Sequence, residues 1–137
     1  MGITDGLVAG SQRHQVRERA MGLLYEAETK GIAMADLVAS LELPLDAYAY
    51  TLVMGAAAQQ PEIDARLEKL SESWSVARMP ALDRAILRLA SYELACSSDI
   101  SVAVIINEAV ELAKAYSTKA SSGFVNGVLS KVATQVR

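Results

Sequence analysis

Apolar residues recur every three or four positions along most of this chain, which is the spacing of an α-helix with one buried face. The clearest case is the stretch PALDRAILRLASYELA, which begins at Pro80 and places Ile86, Leu89 and Leu94 on one side. The alternation typical of a β-strand is hard to find anywhere. Because Ala and Leu abound and only 5% of the residues are aromatic, we expect a core of small aliphatic side chains. The pattern predicts an all-α fold.

Proline and glycine divide this periodic sequence into seven predicted helices joined by short loops. Residues 1–10 contain three glycines and are predicted to form a flexible N-terminal arm, whereas residues 11–137 form one compact helical domain. Ser11 is a candidate N-cap for the first helix, and Gly31 is expected to end it. The sixth helix is predicted over residues 102–116. A chain of 137 residues is long enough to bury a core without disulfides.

The charges are unevenly distributed along the chain, although the net charge is only −3. The segment 26–72 carries nine acidic and three basic residues, whereas residues 112–137 carry no acid. A basic cluster near the start surrounds the single histidine and consists of Arg13, His14, Arg17 and Arg19. We expect Arg13 and Arg17, four residues apart, to share an exposed stripe of the first helix. This polarity predicts a local positive face on an acidic protein, which suits nucleic acid.

Residues suited to catalysis or metal binding are few. His14 lies among arginines with Glu18 as its only evident carboxylate partner, so we do not expect acid–base catalysis there. Cys96 is expected to be an inert thiol, buried or partly buried. One cysteine and one histidine cannot form a structural zinc site, and the chain has no phosphate-binding loop or dinucleotide motif. The sequence predicts a protein that is not an enzyme and needs no cofactor or metal.

The remaining surface features have ordinary explanations. Glu108 and Glu111 lie three residues apart on the sixth helix, and we interpret them as a solvated face on which Lys114 pairs with Glu111. No apolar run approaches the ~20 residues that span a bilayer. The N-terminus lacks the basic and apolar regions of a signal peptide. We therefore expect a cytoplasmic protein without membrane contact.

The stretch SSGFVNGVLSKV, residues 121–132, combines helical spacing with the turn signal Asn126-Gly127, which we expect in the first turns of the seventh helix. Phe124, the only phenylalanine, lies off the apolar stripe, and Gly127 and Lys131 share its angular sector. Two interpretations are open. In the first, a neighbouring helix packs closely over Gly127 and Phe124 covers the core. Alternatively, Phe124 stacks on an unpaired base, and nearby cations bind the phosphates.

Four motifs occur in the order RHQVRERAMGLLYEAE, LDRAILRLASYEL, INEAVELAKAYS and FVNGVLSKV, and together they resemble the NusB transcription antitermination family. The resemblance covers nearly the whole chain from Arg13 onward. It implies a compact bundle of about seven helices that binds boxA-type single-stranded RNA in ribosomal RNA leader transcripts. It also implies a partner, NusE, which is the ribosomal small-subunit protein that doubles as a transcription factor. Together they help RNA polymerase to read through terminators.

The resemblance implies two sets of RNA contacts. The first set matches the arginine-rich opening of the family and consists of Arg13, His14, Gln15 and Arg17. The second set lies at the seventh helix, where the resemblance gives Phe124 as the base-stacking ring with Ser121 and Ser122 in the loop before it. Lys119, which the family pattern lacks, and Lys131, which shares the sector of Phe124, are the cations that we expect to join this set. His14 and Gln15 stand where the family often has arginines. We therefore expect RNA binding that depends less steeply on salt than in such relatives.

The resemblance places the contact with NusE at Tyr25 and Asp83, with Arg84 beside them. Arg88 lies one turn beyond Arg84 on the polar side of the fifth helix and is predicted to join this partner surface. The two arginines alternatively form an ordinary solvated face. Some relatives look homodimeric. The alternative function is therefore a helical protein–protein adaptor, or a homodimer, with reduced RNA binding.

Overall fold

The computed structural model describes the backbone of residues 2–72 and 74–137, and side chains from Gln12 onward apart from residue 73. All regular structure in these ranges is helical, which confirms the predicted all-α class. The helices are α1 (Gly2–Lys30), α2 (Met34–Ala39), α3 (Ala47–Ala58), α4 (Gln60–Leu70), the 3-10 turn η1 (Val76–Arg78), α5 (Ala81–Cys96), α6 (Val102–Tyr116) and α7 (Lys119–Val136). None of the helices in the described ranges is long and apolar enough to cross a bilayer.

Several helix ends follow from capping chemistry. α1 ends at Gly31, whose φ of +66° lies in the left-handed region that glycine adopts at little cost. The carboxylate of Asp46 caps α3 by accepting two backbone hydrogen bonds. Ser101 caps α6 by accepting a hydrogen bond from the backbone N–H of Val104. The predicted end of α1 and the predicted bounds of α6 are confirmed.

The first helix begins earlier than the sequence pattern predicted. α1 starts at Gly2, so Ser11 is an interior residue of the helix and not its cap. Helical backbone does not measure mobility. The division into a flexible arm over 1–10 and a domain over 11–137 therefore stays a prediction.

The last helix also begins earlier than its Asn-Gly signal suggested. Thr118 caps α7 by accepting a hydrogen bond from the backbone N–H of Ser121, and the helix starts at Lys119. Asn126-Gly127 consequently lies in the middle of α7, and the expectation that it would occupy the first turns was wrong. The cap and the apolar stripe decide the start of this helix, because a turn signal is a weaker preference than a satisfied end and a buried face.

α5 is the central helix and packs against α1, α3, α4, α6 and α7. The predicted inward residues Ile86, Leu89 and Leu94 are buried. The polar side of α5 is enclosed as well, since Asp83 and Glu93 are also buried. A helix surrounded in this way brings charged groups into the interior, and each of them needs a partner there. These partners come from the helices that carry the predicted binding residues.

The C-terminal end of α5 is tied to the end of the chain. Arg137 donates from Nε to the carbonyl oxygen of Leu94 at 2.7 Å and from Nη2 to that of Ser97 at 2.8 Å. The last carbonyl groups of a helix have no partner within the helix, and a cation is favoured at that end by the helix dipole. Arg137 therefore joins the ends of α5 and α7.

Candidate nucleic-acid interface

Arg13 is held against α3 by an aromatic ring. Its guanidinium carbon lies 4.9 Å from the centroid of the Tyr48 ring, a cation–π arrangement. Tyr48 is fixed in turn, because its hydroxyl group donates to Oε2 of Glu93 at 2.8 Å. Arg13 therefore has a preferred position at the surface while its charge stays unpaired by any carboxylate among the contacts of the described residues.

Arg17 is buried, so the expected exposed stripe with Arg13 was wrong. The side chain of Arg17 is 4% exposed and donates from Nε and Nη2 to the two carboxylate oxygens of Glu93, at 2.8 and 3.0 Å. Arg17 sits beside the buried stripe of α1 and faces α5. The four-residue spacing correctly places Arg13 and Arg17 on one side of α1. That side is covered by α5 at the level of Arg17, so only the expected exposure was wrong.

His14 has a carboxylate partner that the sequence did not reveal. Its Nδ1 lies 2.6 Å from Oε2 of Glu108 on α6, 94 residues away. The hydrogen bond with Glu108 raises the pKa of the His14 imidazole above its ordinary value, against a smaller opposing effect of burial. Glu18, the partner expected from the sequence, instead accepts a hydrogen bond from the hydroxyl group of Tyr116 at 2.5 Å. Both contacts join α1 to α6.

Gln15 is exposed and faces a groove away from His14. The groove has a volume of about 400 Å³ and runs between α1 and the segment that leads into α3, with Arg19 and Leu43 among its lining residues. Gln15 and His14 thus lie on different sides of α1. The four residues predicted from the arginine-rich opening do not form a single contact patch.

The start of α7 is organised by hydroxyl groups. Ser121 is buried, and its Oγ lies 2.9 Å from the hydroxyl oxygens of both Ser117 and Thr118. Ser122 donates to the carbonyl oxygen of Lys119 at 2.8 Å, and Lys119 itself is exposed. Ser121 therefore supports the turn from inside, while Lys119 and Ser122 lie on its outer side.

Asp83 belongs to this same network and not to a surface. The residue is fully buried, and its Oδ1 accepts a hydrogen bond from the hydroxyl group of Ser117 at 2.6 Å. Its predicted place on a partner-facing surface was wrong. Asp83 lies in the first turn of α5, where a negative charge is favoured by the helix dipole, and it is covered there by the connection between α6 and α7.

Phe124 is half-buried and contacts the only tryptophan of the chain. It packs at the edge of the core, and its ring centroid lies 5.1 Å from that of Trp74 with 69° between the ring planes. Lys131 lies nearby, with its Nζ 3.4 Å from a carboxylate oxygen of Glu72. The sequence pattern did not single out Trp74 as a candidate. A tryptophan within an otherwise polar linker was the one feature of the sequence that could have pointed to it.

Gly127 is open to solvent. A Cβ atom built on it meets nothing within 4 Å, so no helix packs closely over it, and that interpretation of Asn126-Gly127 was wrong. The close approach occurs at Gly55 instead, where a Cβ atom would collide with the ring of Tyr92. Both glycines lie inside helices, but only Gly55 is required by packing.

The remaining predicted partner residues form two groups: an exposed tyrosine, and two arginines that are paired with carboxylates. Tyr25 is 38% exposed on α1. Arg84 donates from Nε to Glu28 at 2.9 Å, and Arg88 pairs with both Glu28 and Asp64. Burial alone would raise the pKa of Glu28, but the hydrogen bonds from the two arginines lower it overall. The alternative of a solvated face is wrong for Arg88, which is buried.

Two further expectations concern single residues. Cys96 is exposed, not buried, and its Sγ lies 3.6 Å from Nε2 of Gln59. Lys114 pairs with Glu111 at 3.6 Å, which confirms the predicted i, i+3 contact on an exposed face of α6.

The structure thus divides the predicted RNA residues into two groups. One surrounds the first part of α1 and contacts α3 and α6, through Arg13 and His14. The other surrounds α7 and contacts the connection between α4 and α5, through Phe124 and Lys131. Two adjacent residues lie between the groups. Tyr116 forms a hydrogen bond with Glu18 of α1, and Ser117 forms one with Ser121 of α7. The end of α6 is the physical link between the two groups.

Comparison with known proteins agrees with this architecture. The model of the NusB family matches residues 14–134. The chain belongs to the NusB family. The transcription antitermination protein NusB of Saccharopolyspora erythraea is 47% identical over 127 residues, which cover 88% of this chain and 86% of that protein. NusB of Lysinibacillus sphaericus is 38% identical, over 90% of this chain and 98% of its own length.

Solved NusB structures share the fold. T. maritima NusB aligns with a TM-score of 0.81 and 32% identity, over 90% of this chain and 91% of that chain. A NusB in complex with NusE and double-stranded RNA aligns with a TM-score of 0.78 and 28% identity, over 90% of this chain and 96% of that chain. The family resemblance read from the four motifs is confirmed. Membership makes this chain a transcription antitermination factor by family.

Proposed function

We propose that this chain binds boxA-type single-stranded RNA of ribosomal RNA leader transcripts together with NusE, and thereby promotes read-through by RNA polymerase in the cytoplasm. NusB family membership supports the role in antitermination. The alignment with a NusB bound to NusE and double-stranded RNA supports both an RNA and a protein partner. Action within an RNA polymerase complex and the preference for boxA are two further elements that we add to this proposal.

The position of Phe124 carries the RNA part of this proposal. The ring is half-buried at the edge of the core and fixed from one side by Trp74. Lys131 lies seven residues along α7, two turns on the same side of the helix, and its side chain is 47% exposed. A rigid ring next to a cation matches what an unpaired nucleotide needs, namely a surface for the base and a charge for the phosphate.

We assign different tasks to the remaining RNA residues according to their exposure. Lys119 and Ser122 lie on the outer side of the turn that precedes Phe124 and are suited to direct contact. Arg13 and His14 are half-exposed near the middle of α1, and Gln15 is exposed on the adjacent side. Arg17 and Ser121 also belong to the predicted set but are buried. We assign them the task of supporting the exposed residues from beneath.

The proposed NusE contact centres on Tyr25. An exposed tyrosine offers a large contact area at little cost in side-chain entropy. Glu28 lies three residues beyond Tyr25 on α1, on the same face of the helix, and its carboxylate is fixed by Arg84 and Arg88. The arginines therefore stiffen the surface beside Tyr25. Asp83 contributes indirectly, through Ser117.

One observation favours the alternative function, an adaptor or homodimer with reduced RNA binding. Three cationic groups that the sequence assigned to RNA are engaged by carboxylates, in the pairs Arg17–Glu93, His14–Glu108 and Lys131–Glu72. Charge used in this way is less available to phosphates. The exposed pair Lys131–Glu72 is easily displaced, whereas the buried pair Arg17–Glu93 is not.

Binding of a fluorescently labelled boxA-like strand, with and without purified NusE, distinguishes the two functions. A scrambled strand of the same length serves as the control, and the salt concentration is varied. An RNA-binding factor should prefer the boxA-like strand, and its affinity should fall with salt. Binding to NusE with no RNA binding at any salt concentration would identify an adaptor. The mass of the free protein in solution would reveal a homodimer.

A further inference from the structure

Trp74 and Phe124 form an exposed aromatic pair that joins two distant parts of the chain. The rings meet nearly at right angles, with 5.1 Å between the centroids and 69° between the planes. Trp74 is 39% exposed. In an edge-to-face pair, the ring that presents its edge keeps both of its own faces free of its partner. Each ring therefore has at least one face that its partner does not cover, and Trp74, the more exposed of the two, is suited to stack on a third ring.

The tryptophan is held in place by its own segment. The hydroxyl group of Ser71 donates to the carbonyl oxygen of Trp74 at 2.7 Å, and the backbone N–H of Trp74 lies 3.3 Å from the same hydroxyl oxygen. Ser71 follows directly on the last residue of α4. The connection is also tied at Val76, whose N–H donates to the carboxylate of Glu68 at 2.8 Å. Because these hydrogen bonds hold the backbone around Trp74, only its side-chain torsions remain to be ordered when a ligand binds.

A cation lies beside the aromatic pair. Nζ of Lys131 is 3.5 Å from the carbonyl oxygen of Leu70 and 3.4 Å from a carboxylate oxygen of Glu72, and these two residues flank the Ser71 that holds Trp74. The side chain of Glu72 is 87% exposed. An exposed pair of this kind is worth little, so a phosphate group can take the place of the carboxylate.

We propose that Trp74 and Phe124 together form the stacking site for one unpaired RNA base, with Lys131 on the phosphate of that nucleotide. This inference rests on the proposed RNA-binding function and adds Trp74 to it. Aromatic rings with an adjacent cation are the usual means by which proteins hold single strands. Trp74 keeps 39% of its surface exposed, and Lys131 contacts the residues on both sides of the Ser71 that bonds to Trp74.

Trp74 provides its own probe because it is the only tryptophan. Its fluorescence should be quenched as a boxA-like single strand is added in the presence of NusE, and the quenching curve should give the same Kd as the anisotropy of labelled RNA. Trp74→Leu should weaken RNA binding by about 5- to 150-fold, the range that corresponds to the loss of one base–aromatic stack. Trp74→Phe should recover most of this loss. The double variant with Phe124→Ala should lose less than the product of the single losses.

Matched controls separate the site from general surface effects. Tyr50 is an aromatic residue with 49% exposure on α3, and Tyr50→Leu should leave the Kd for RNA unchanged. Lys131→Gln should lower the slope of log Kd against log salt by about 0.7. The fluorescence test uses the unchanged protein, so it does not depend on how well any variant folds.

The outcomes distinguish this inference from the proposed function. RNA binding by anisotropy with unchanged tryptophan fluorescence, together with wild-type affinity in Trp74→Leu, would overturn the stacking site while the RNA-binding function stands. Quenching by NusE alone, with no further change on addition of RNA, would make the pair a protein contact and overturn the inference. The absence of RNA binding with NusE present would overturn both.

Discussion

The guanidinium group of Arg17 and the carboxylate of Glu93 form a buried, two-pronged ion pair across 76 residues of sequence. The Tyr48 hydroxyl donates a third hydrogen bond to the same carboxylate. Three helices, α1, α3 and α5, therefore meet at Glu93. Arg13 rests on the ring of Tyr48, so this half-exposed cation lies over a ring that the carboxylate of Glu93 holds in place.

Arg17→Ala should cost folding stability. Removing one partner of a buried pair leaves an unpaired buried charge and typically costs about 3–5 kcal/mol. Urea denaturation gives the free energy of unfolding. Arg19→Ala is the matched control, because Arg19 is exposed on the same helix and its loss should change stability by no more than about 0.5 kcal/mol.

The same variants separate support from RNA contact. Arg13→Ala should lower the slope of log Kd against log salt by about 0.7, the value for one phosphate contact on a single strand. Arg17→Ala should leave this slope unchanged in the folded fraction, because the side chain is buried and the hydrogen bond from Tyr48 to Glu93, which holds the ring under Arg13, remains. A normal stability and a reduced slope in Arg17→Ala would mean that Arg17 contacts the RNA directly.

The single histidine should titrate above its ordinary value. The hydrogen bond with Glu108 favours the imidazolium form, so the pKa of His14 measured by NMR should lie above about 6.5. Glu108→Gln should bring it back down. Because the pKa is raised in the folded state, the pair stabilises the fold fully below about pH 6.5 and loses this effect as the pH rises through the folded pKa. A pKa unchanged by Glu108→Gln would contradict the pair.

Tyr25 and Asp83 should behave differently, although the sequence assigned both to one surface. Tyr25→Asp should keep the stability of the fold and weaken NusE binding by about 2 kcal/mol or more, as expected for an interface anchor. Asp83→Ala should cost about 1–3 kcal/mol of stability, because the hydroxyl group of Ser117 loses its buried acceptor. Calorimetry with NusE and thermal unfolding of both variants test this. Wild-type NusE affinity in Tyr25→Asp would remove Tyr25 from the contact.

The two helical glycines Gly127 and Gly55 should respond in opposite directions to alanine. Gly127→Ala adds a methyl group in open space and should stabilise the protein by up to about 1 kcal/mol, the difference in helix propensity. Gly55→Ala forces the ring of Tyr92 to move, and overpacking of this kind typically costs about 1–3 kcal/mol, which exceeds the helical gain. A stabilising effect of both substitutions in urea denaturation would contradict the packing at Gly55.

Helical periodicity was sufficient to predict the all-α class, the bounds of α6 and the end of α1 at Gly31. These features depend on the local spacing of apolar residues and on capping residues, both of which can be read directly from the sequence. The burial of Arg17 was not predictable in this way, because its partner Glu93 lies on another helix. The pairing of His14 with Glu108 was missed for the same reason. A pattern along one helix does not tell which charged residues a second helix will cover.

Phe124 was predicted as a candidate because it lies off the apolar stripe of α7. Trp74 was missed because its linker has no periodic pattern, and its position depends on how the connection between α4 and α5 packs on α7. Four family motifs identified the family correctly, yet three of the carried-over residues, Arg17, Asp83 and Ser121, proved to be buried. A motif preserves the residue but does not state whether its side chain reaches a ligand or a neighbouring helix.

The most direct test of the RNA-binding account is the affinity of Phe124→Ala for a boxA-like single strand in the presence of NusE. If Phe124 stacks on a base, this variant should lose about 1–3 kcal/mol of RNA-binding free energy. Its loss of folding stability should stay below the about 3–5 kcal/mol of a fully buried phenylalanine, because the ring is only half-buried. Unchanged RNA affinity in the folded protein, together with the full stability loss, would contradict the account and make Phe124 a packing residue.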